Sequence, residues 1–183
     1  MNKIIQLRGT SGAGKSTIVK SLIELATWKT PHFVEKRKQP LYYDLTFATG
    51  AKLVVLGHYE IACGGCDTIS GFDLIFNMVR QHADESNVLF EGVLLNDDYL
   101  RTKALGSVDV IFLNTTLEEC LASVNARRAT RGVTEPVNPK NTTGRYNRCL
   151  KTFKKFQTDA PLARAYSLNR ADALTKVKEL LAI

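Results

Sequence analysis

Residues 9–17 combine glycines, a lysine and hydroxyl side chains in an order that suits the binding of nucleotide phosphates. Glycines let several backbone N–H groups turn toward one anion, and the positive end of a following helix adds to their field. In such a loop Lys15 should contact the β- and γ-phosphates of ATP, and the Ser16 hydroxyl should ligate Mg²⁺. The predicted nucleotide-binding residues are Gly9, Thr10, Ser11, Gly12, Ala13, Gly14, Lys15, Ser16 and Thr17.

The segments that flank this loop are the ones its chemistry requires. Residues 3–8 alternate as in a β-strand, and apolar residues recur at helical spacing from Lys15 to about Trp28. The motif therefore lies between a strand and a helix, and an incidental glycine-rich turn is the less favoured alternative. We expect Lys15 to face the ligand rather than the core. Replacement of Lys15 by alanine should therefore abolish transfer of a phosphoryl group from ATP but leave the fold intact.

An acidic residue ends a second apolar run. Residues 88–90 predict a short buried strand, and Glu91 follows directly, before Gly92. In an open parallel sheet this position faces the crevice at the carboxyl ends of the strands. Glu91 should therefore hold a magnesium-bound water or the phosphoryl acceptor; a solvent-exposed strand end is the alternative.

Transfer of a phosphoryl group to an alcohol also benefits from a carboxylate that takes the proton of the hydroxyl. Asp67 and Asp44 are the candidates for this catalytic base. Asp67 is favoured because the adjacent glycines Gly64 and Gly65 indicate a close approach of the backbone to another group. For either aspartate, a helix N-cap is the structural alternative.

Three arginines near the end of a predicted helix are candidates for stabilising the charge of the transferred group. Arg127 or Arg128 shares a helix face with Arg131, at a spacing of four or three residues. Guanidinium groups placed there would clamp the phosphoryl oxygens. The helix dipole also favours cations at this end, so a purely structural role for one of the three is the alternative.

The spacing Cys63-x-x-Cys66 is compatible with zinc binding or redox chemistry, but no second pair lies nearby in the sequence. The intervening Gly64-Gly65 fits a tight turn, which is the favoured interpretation. Four cysteines in 183 residues are ordinary for a reduced cytosolic protein. No apolar run is long enough to span a membrane, so a cytoplasmic location is expected.

Positive charge is concentrated in one segment. Residues 127–155 contain nine lysines and arginines and a single acid, Glu135, for a net charge of +8. The full chain carries +7, so the remainder sums to −1. This distribution predicts a polyanionic partner, either DNA or a nucleotide. Solubility alone is the alternative explanation for Lys151, Lys154 and Lys155.

The order of the predicted elements indicates an α/β fold in a single domain, residues 1–183. Strands are predicted at residues 3–8, 41–45, 52–56, 88–90 and 108–113, and helices at residues 15–28, 72–82, 97–105, 116–131, 146–157 and 171–181. Because parallel strands need crossover connections, this alternation predicts a parallel sheet of about five strands with helices on both faces. Residues 29–40 and 132–144 are predicted loops, the second being mobile and part of a lid-like basic segment at about 127–145.

These motifs occur in an order that resembles the small P-loop kinases of nucleosides, nucleotides and gluconate. The glycine-rich loop, the Glu91-Gly92 strand end and the arginine-bearing helix carry this resemblance. The strand end at residues 56–59, the turn at residues 64–67 and the basic C-terminal third look more narrowly like bacteriophage P-loop kinases. Some members of that group phosphorylate 5-hydroxymethyluracil within DNA.

The resemblance implies a P-loop NTPase fold that uses ATP and Mg²⁺. It also implies that Asp67 or Asp44 is the base, that Glu91 supports the acceptor or Mg²⁺, and that the three arginines belong to a lid. A phage-encoded chain would act in the host cytoplasm. The departure from the wider P-loop pattern is Glu91, which stands where a Walker-B aspartate is usual; small-molecule kinases tolerate this change.

Three functions remain open from the sequence. The favoured one is an ATP-dependent kinase of a hydroxyl in DNA or a DNA component, and the second is a kinase of free nucleosides, nucleotides or other small molecules. A nucleotide-dependent switch is the least favoured, because no Asn-Lys-x-Asp segment that would read guanine is present. The acceptor and the oligomeric state are not determined by these patterns.

Overall fold

A computed structural model describes residues 2–61, 64–160 and 162–183, whose strands form one seven-stranded sheet. The strands are β1 (Ile4–Arg8), β2 (Trp28–His32), β3 (Tyr42–Thr46), β4 (Lys52–Leu56), β5 (Asn87–Glu91), β6 (Val108–Leu113) and β7 (Ala163–Leu168). The helices are α1 (Lys15–Leu25), α2 (Phe72–Ala83), α3 (Leu100–Lys103), α4 (Leu117–Ala129), α5 (Pro139–Asp159) and α6 (Arg170–Leu181).

The sheet is mixed, in the order β2-β3-β4-β5-β1-β6-β7. Neighbouring strands from β4 to β7 are parallel, whereas β2 pairs with β3 and β3 with β4 in the antiparallel sense. The predicted parallel sheet of about five strands was therefore wrong in its size and in its uniform direction. The short connection at residues 47–51 is long enough for an antiparallel hairpin and too short for the crossover that a parallel pair needs.

Two strands were missed in the sequence, each for a physical reason. β2 lies within residues predicted as the end of the first helix and a loop, and it contains Pro31. Proline has no backbone N–H to donate to a neighbouring strand. It is tolerated there because β2 is an edge strand, with a neighbour on one side only. β7, at the other edge, has no clean alternation of buried and exposed residues.

The loop boundaries were also partly wrong. α5 begins at Pro139, so residues 139–144 of the predicted mobile loop are helical. Asn138 caps this helix by accepting a hydrogen bond from the Lys140 N–H, and proline suits the first helical position. The predicted helix at residues 97–105 is reduced to α3, which follows a 3-10 turn at Leu94–Asp97.

Helices cover both faces of the sheet, as predicted. On one face, α1 and α6 pack on alternate residues of the strands, including Ile5 and Leu7 of β1. On the other face, α2 packs on β4 and β5, and α5 packs on β6. Among the described residues, no helix is long and apolar enough to cross a membrane.

The parallel register places two charged residues at one edge of the sheet. β1 and β5 are paired with Leu7 opposite Glu91, so that Arg8 and Glu91 end neighbouring strands. The glycine-rich loop, residues 9–17, begins immediately after Arg8. This edge therefore carries both the glycine-rich loop and Glu91.

Candidate active site

A cavity of about 460 Å³ lies at the carboxyl ends of the parallel strands. It is lined by the glycine-rich loop, the turn at residues 64–67, Glu91 with the turn after β5, and arginines from three helices. Its size is within the range of small-ligand sites. The predicted loop, the acid Glu91 and one of the two candidate bases, Asp67, therefore line the same cavity.

Lys15, Ser16 and Glu91 form a connected polar group on the floor of this cavity. The Ser16 hydroxyl donates a hydrogen bond to Glu91 Oε1 at 2.8 Å, and Lys15 Nζ lies 3.8 Å from Glu91 Oε2. Lys15 Nζ also donates to the Gly9 carbonyl at 2.6 Å. These contacts hold the acid against the start of α1, beside the loop predicted to bind phosphates.

Burial shapes the chemistry of this group. Burial raises the pKa of the Glu91 carboxyl above its ordinary value, and the nearby Lys15 ammonium opposes that rise. Lys15 itself is only 5% exposed. Lys15 nevertheless lines the cavity, with its amine beside the Gly9 carbonyl and Glu91. The expectation that it faces a ligand rather than the core stays a prediction.

Asp67 lies in the same cavity and supports the turn after β5. Its carboxylate accepts hydrogen bonds from the Val93 N–H at 2.8 Å and the Leu94 N–H at 2.9 Å. Gly65 has a φ of +74°, and a β-carbon there would lie 2.6 Å from Glu91 Oε1. The close backbone approach that the glycine pair predicted is present, and it lets this turn pack against Glu91.

Asp44, the other candidate base, does not line the cavity. It lies on β3, in the antiparallel part of the sheet, with its Oδ2 2.6 Å from His32 Nε2. Its side chain is 50% exposed. The structure thus brings Asp67, and not Asp44, to the predicted phosphate-binding loop.

The three predicted arginines have different surroundings. Arg127 lines the cavity. Arg128 donates from Nε to the Glu135 carbonyl at 3.0 Å, which ties the end of α4 to the following loop. Arg131 is exposed and lies outside the cavity lining. A position for phosphate contact is therefore present for Arg127 alone of the three.

Two further arginines, missed in the sequence, line the cavity: Arg145 of α5 and Arg170 of α6. Arg170 donates to the Ala13 carbonyl at 2.9 Å and to the Gly12 carbonyl at 2.8 Å, so it braces the glycine-rich loop. Recognition of β7 would have revealed Arg170, since it follows the end of a parallel strand. Recognition that α5 starts at Pro139 would have placed Arg145 on a helix rather than beside a loop.

A buried arginine joins the glycine-rich loop to the turn after β5. Arg8 donates to the Asn96 carbonyl at 2.6 Å and to the Asp98 carbonyl at 2.8 Å, and its guanidinium lies 4.7 Å from the Phe156 ring. Burial lowers the pKa of Arg8 to about 10. The Asn96 side chain in turn donates to the Gly9 carbonyl at 2.7 Å, so the two segments are held as one unit.

The zinc and redox interpretations of Cys63-x-x-Cys66 stay predictions, because only one of the two cysteines belongs to the described residues. Cys63 lies outside the described residues, and burial raises the pKa of the Cys66 thiol. Across residues 2–61, 64–160 and 162–183 there is no group of three or more His, Cys, Asp or Glu side chains placed to hold a metal. Cys66 begins a 3-10 turn that carries Asp67 toward the cavity.

This arrangement combines a glycine-rich loop with a lysine, a buried acid at a strand end, a second acid and several arginines around one cavity. Positioning and charge stabilisation by groups of this kind are what phosphoryl transfer requires. The fold and site therefore define a candidate phosphoryl-transfer enzyme.

Comparison with known proteins supports this class. The chain is 43% identical over 185 residues, 98% of this chain and 97% of the relative, to the 5-hmdU DNA kinase of Pseudomonas phage PaMx11. It is 28% identical over 191 residues, 89% of this chain and 67% of the relative, to the 5-hmdU DNA kinase of Delftia phage PhiW-14. No protein-family model matches the chain. The chain belongs to the 5-hmdU DNA kinase family, which confirms the predicted kinase class and the resemblance to phage kinases.

Proposed function

We propose that this protein transfers the γ-phosphoryl group of ATP to the hydroxymethyl oxygen of 5-hydroxymethyluracil in DNA. The observation that carries the proposal is the near-full-length relationship to a phage protein named 5-hmdU DNA kinase. The cavity beside the glycine-rich loop supports it, because the loop, acids and arginines that phosphoryl transfer needs line one space. We place the reaction in the cytoplasm of a phage-infected cell, because both relatives are phage proteins.

At phosphorus the reaction forms one bond and breaks one, and a proton moves from the acceptor hydroxyl to a base. The hydroxymethyl oxygen attacks the γ-phosphorus of ATP, the bond from that phosphorus to the β-γ bridging oxygen breaks, and ADP leaves. The hydroxyl proton passes to a carboxylate, for which we propose Asp67 because it lines the cavity whereas Asp44 does not. We propose that Lys15 and Arg127, with Arg145 and Arg170, stabilise negative charge on the phosphates.

The residues around Ser16 fit a magnesium ion. Mg²⁺ prefers oxygen ligands, and the Ser16 hydroxyl and Glu91 carboxylate oxygens lie 2.8 Å apart. The nearby Thr10 hydroxyl is buried and has no hydrogen-bond partner among the described residues. When bound, Mg²⁺ would neutralise charge on the β- and γ-phosphates. Ser16 and Glu91 would hold it, directly or through water.

We further propose that the chain forms a single catalytic domain with a P-loop NTPase fold. A parallel strand, the glycine-rich loop and α1 follow one another in the order that this fold uses, and β1 lies between β5 and β6. The basic segment of residues 127–145 would form part of the lid, with Arg127 and Arg145 facing the cavity.

Transfer of labelled γ-phosphate tests the proposal. The acceptors are plain DNA, the same DNA containing 5-hydroxymethyluracil, free 5-hydroxymethyldeoxyuridine with its monophosphate, and small sugars. Label only on the modified DNA is expected. Label on a free nucleoside, nucleotide or sugar would instead show a small-molecule kinase, and release of inorganic phosphate without any labelled acceptor would favour a nucleotide switch.

A further inference from the structure

A groove of about 600 Å³ lies directly beside the cavity at the glycine-rich loop, which we call the phosphate cavity because the proposed function places the ATP phosphates there. Leu94, in the turn after β5, lines both spaces. The groove and the cavity therefore share Leu94 as a common wall, on the side of the cavity that Asp67 supports. Under the proposed function, that is the side from which the acceptor hydroxyl would approach.

The groove combines apolar, aromatic and cationic side chains. Leu94 is 55% exposed and Leu100 is 75% exposed. The Arg101 guanidinium lies 5.7 Å from the Phe72 ring centre, and Lys155 Nζ lies 5.7 Å from the centre of the Tyr99 ring. Aromatic or apolar platforms flanked by cations are the means by which proteins bind the bases and backbone of single-stranded nucleic acids.

The acids around the groove do not cancel this positive charge. Arg101 pairs with Asp73 and Asp98, and Arg148 pairs with Asp97. Lys103 and Lys155 both lie near the Tyr99 ring, and in the described part of the chain neither forms an ion pair. The Lys155 ammonium, which lines the groove, is thus available to an anionic ligand, and that of Lys103 lies nearby.

One face of α5 connects the cavity to the groove. Arg145 lines the cavity, Arg148 lies against the turn at Asp97, and Lys155 lines the groove. Their spacings of three and seven residues keep them on one side of a helix, over a length of about 15 Å. A strand stacked as in B-DNA rises about 3.4 Å per nucleotide, so this face matches roughly four stacked nucleotides.

We propose that the groove binds the nucleotides that flank the target base, in single-stranded or locally opened DNA, while the target base enters the phosphate cavity. Leu94 then separates the target base from its neighbour. Opening is required because a cavity of about 460 Å³ cannot admit a duplex, and enzymes that act on a base take it out of the stack. The inference rests on the proposed function, since it assumes that the acceptor is a base in DNA.

Two exposed positions test the groove without disturbing the core: Leu100→Ser and Lys155→Ala. Their matched controls are Leu25→Ser, an exposed leucine of α1, and Lys154→Ala, the neighbouring exposed lysine of α5. The substrate is a single-stranded oligonucleotide of about ten nucleotides with one central 5-hydroxymethyluracil. Each groove variant should raise the KM for this oligonucleotide by about tenfold with little change in kcat, and the controls should not.

The salt dependence of binding separates the ionic contribution of Lys155 from the apolar contribution of Leu100. Lys155→Ala should reduce the slope of log Kd against log salt by about 0.7 for single-stranded DNA, because one phosphate contact is lost. Leu100→Ser should weaken binding without changing that slope. Unchanged KM and salt slope in both groove variants would overturn the inference, as would weakening by the controls to the same degree.

The second part of the test compares single-stranded, mismatched and fully paired DNA as substrates. A single strand, or a duplex with a mismatch at the target base, should be phosphorylated faster than a fully paired duplex. Preference for the fully paired duplex would overturn the requirement for opening. Failure of the wild-type protein to label any 5-hydroxymethyluracil DNA would instead refute the proposed function, so the two failures are distinguishable.

Discussion

At the carboxyl ends of β1 and β5, charged side chains are buried and held by hydrogen bonds, whereas the one charged side chain of β3 is half exposed. Arg8 and Glu91 are 0% and 2% exposed. Asp44 of β3 is 50% exposed and pairs with a histidine of the edge strand. Parallel strands end at the same edge of a sheet, while antiparallel neighbours end at opposite edges. An acid at the end of a parallel strand is therefore the stronger candidate for a shared site.

Among the variants at the carboxyl ends of the parallel strands, Lys15→Ala is expected to lower the rate of phosphoryl transfer the most. Lys15 Nζ lies beside Glu91 and the Gly9 carbonyl, at the position where the proposed phosphate charge develops. Phosphoryl transfer should fall by at least 10²-fold, as for removal of a group that stabilises transition-state charge. Labelled γ-phosphate transfer measures this, and Lys20→Ala, an exposed residue of the same helix, serves as the control. Near-normal transfer in Lys15→Ala would refute the assignment of the loop.

The variants Asp67→Asn and Asp44→Asn test whether the catalytic base lies at the cavity or on the antiparallel part of the sheet. Asp67→Asn should lower kcat by on the order of 10²-fold, because a general base contributes that much or more. Asp44→Asn should leave kcat within about twofold, since Asp44 does not line the cavity. Steady-state kinetics with thermal unfolding distinguishes lost chemistry from lost folding. The reverse order of the two effects would make Asp44 the base.

A smaller effect is expected from the arginines at the end of α4. Arg127→Ala should reduce kcat/KM by about tenfold, the loss of one charged contact to phosphate. Arg131→Ala is the matched control, because Arg131 is exposed and outside the cavity. Equal loss in both variants would indicate that the segment acts through general charge rather than through a clamp in the cavity.

The pH dependence of stability tests the burial of Glu91. Its raised pKa means that the folded state retains a proton that the unfolded state has already lost. Stability from this group is therefore present below the unfolded pKa and is lost as the pH rises through the folded pKa. The difference in unfolding free energy, wild type minus Glu91→Gln, should fall with pH in that window by up to about 1.4 kcal/mol per pH unit. Urea unfolding at several pH values measures it, and a difference that rises with pH would contradict the assignment.

Local patterns were sufficient for the elements with strong periodicity and clear caps. β1, α2, β6 and α6 lie where the sequence predicted them, and Thr116 and Glu119 form the capping box that starts α4. The weaker elements were missed because their signals are not local. β2 depends on pairing with β3, and β7 depends on pairing with β6.

The sequence by itself determined the glycine-rich loop, the acid at the end of β5 and the excess of positive charge after residue 127, because each depends on residue type and short spacing. Only the tertiary structure decided that Asp67 rather than Asp44 joins the loop, and that Arg127, Arg145 and Arg170 line one cavity. These residues come from different helices and turns, so their proximity depends on strand order and direction. Long-range packing sets both, and no local pattern encodes it.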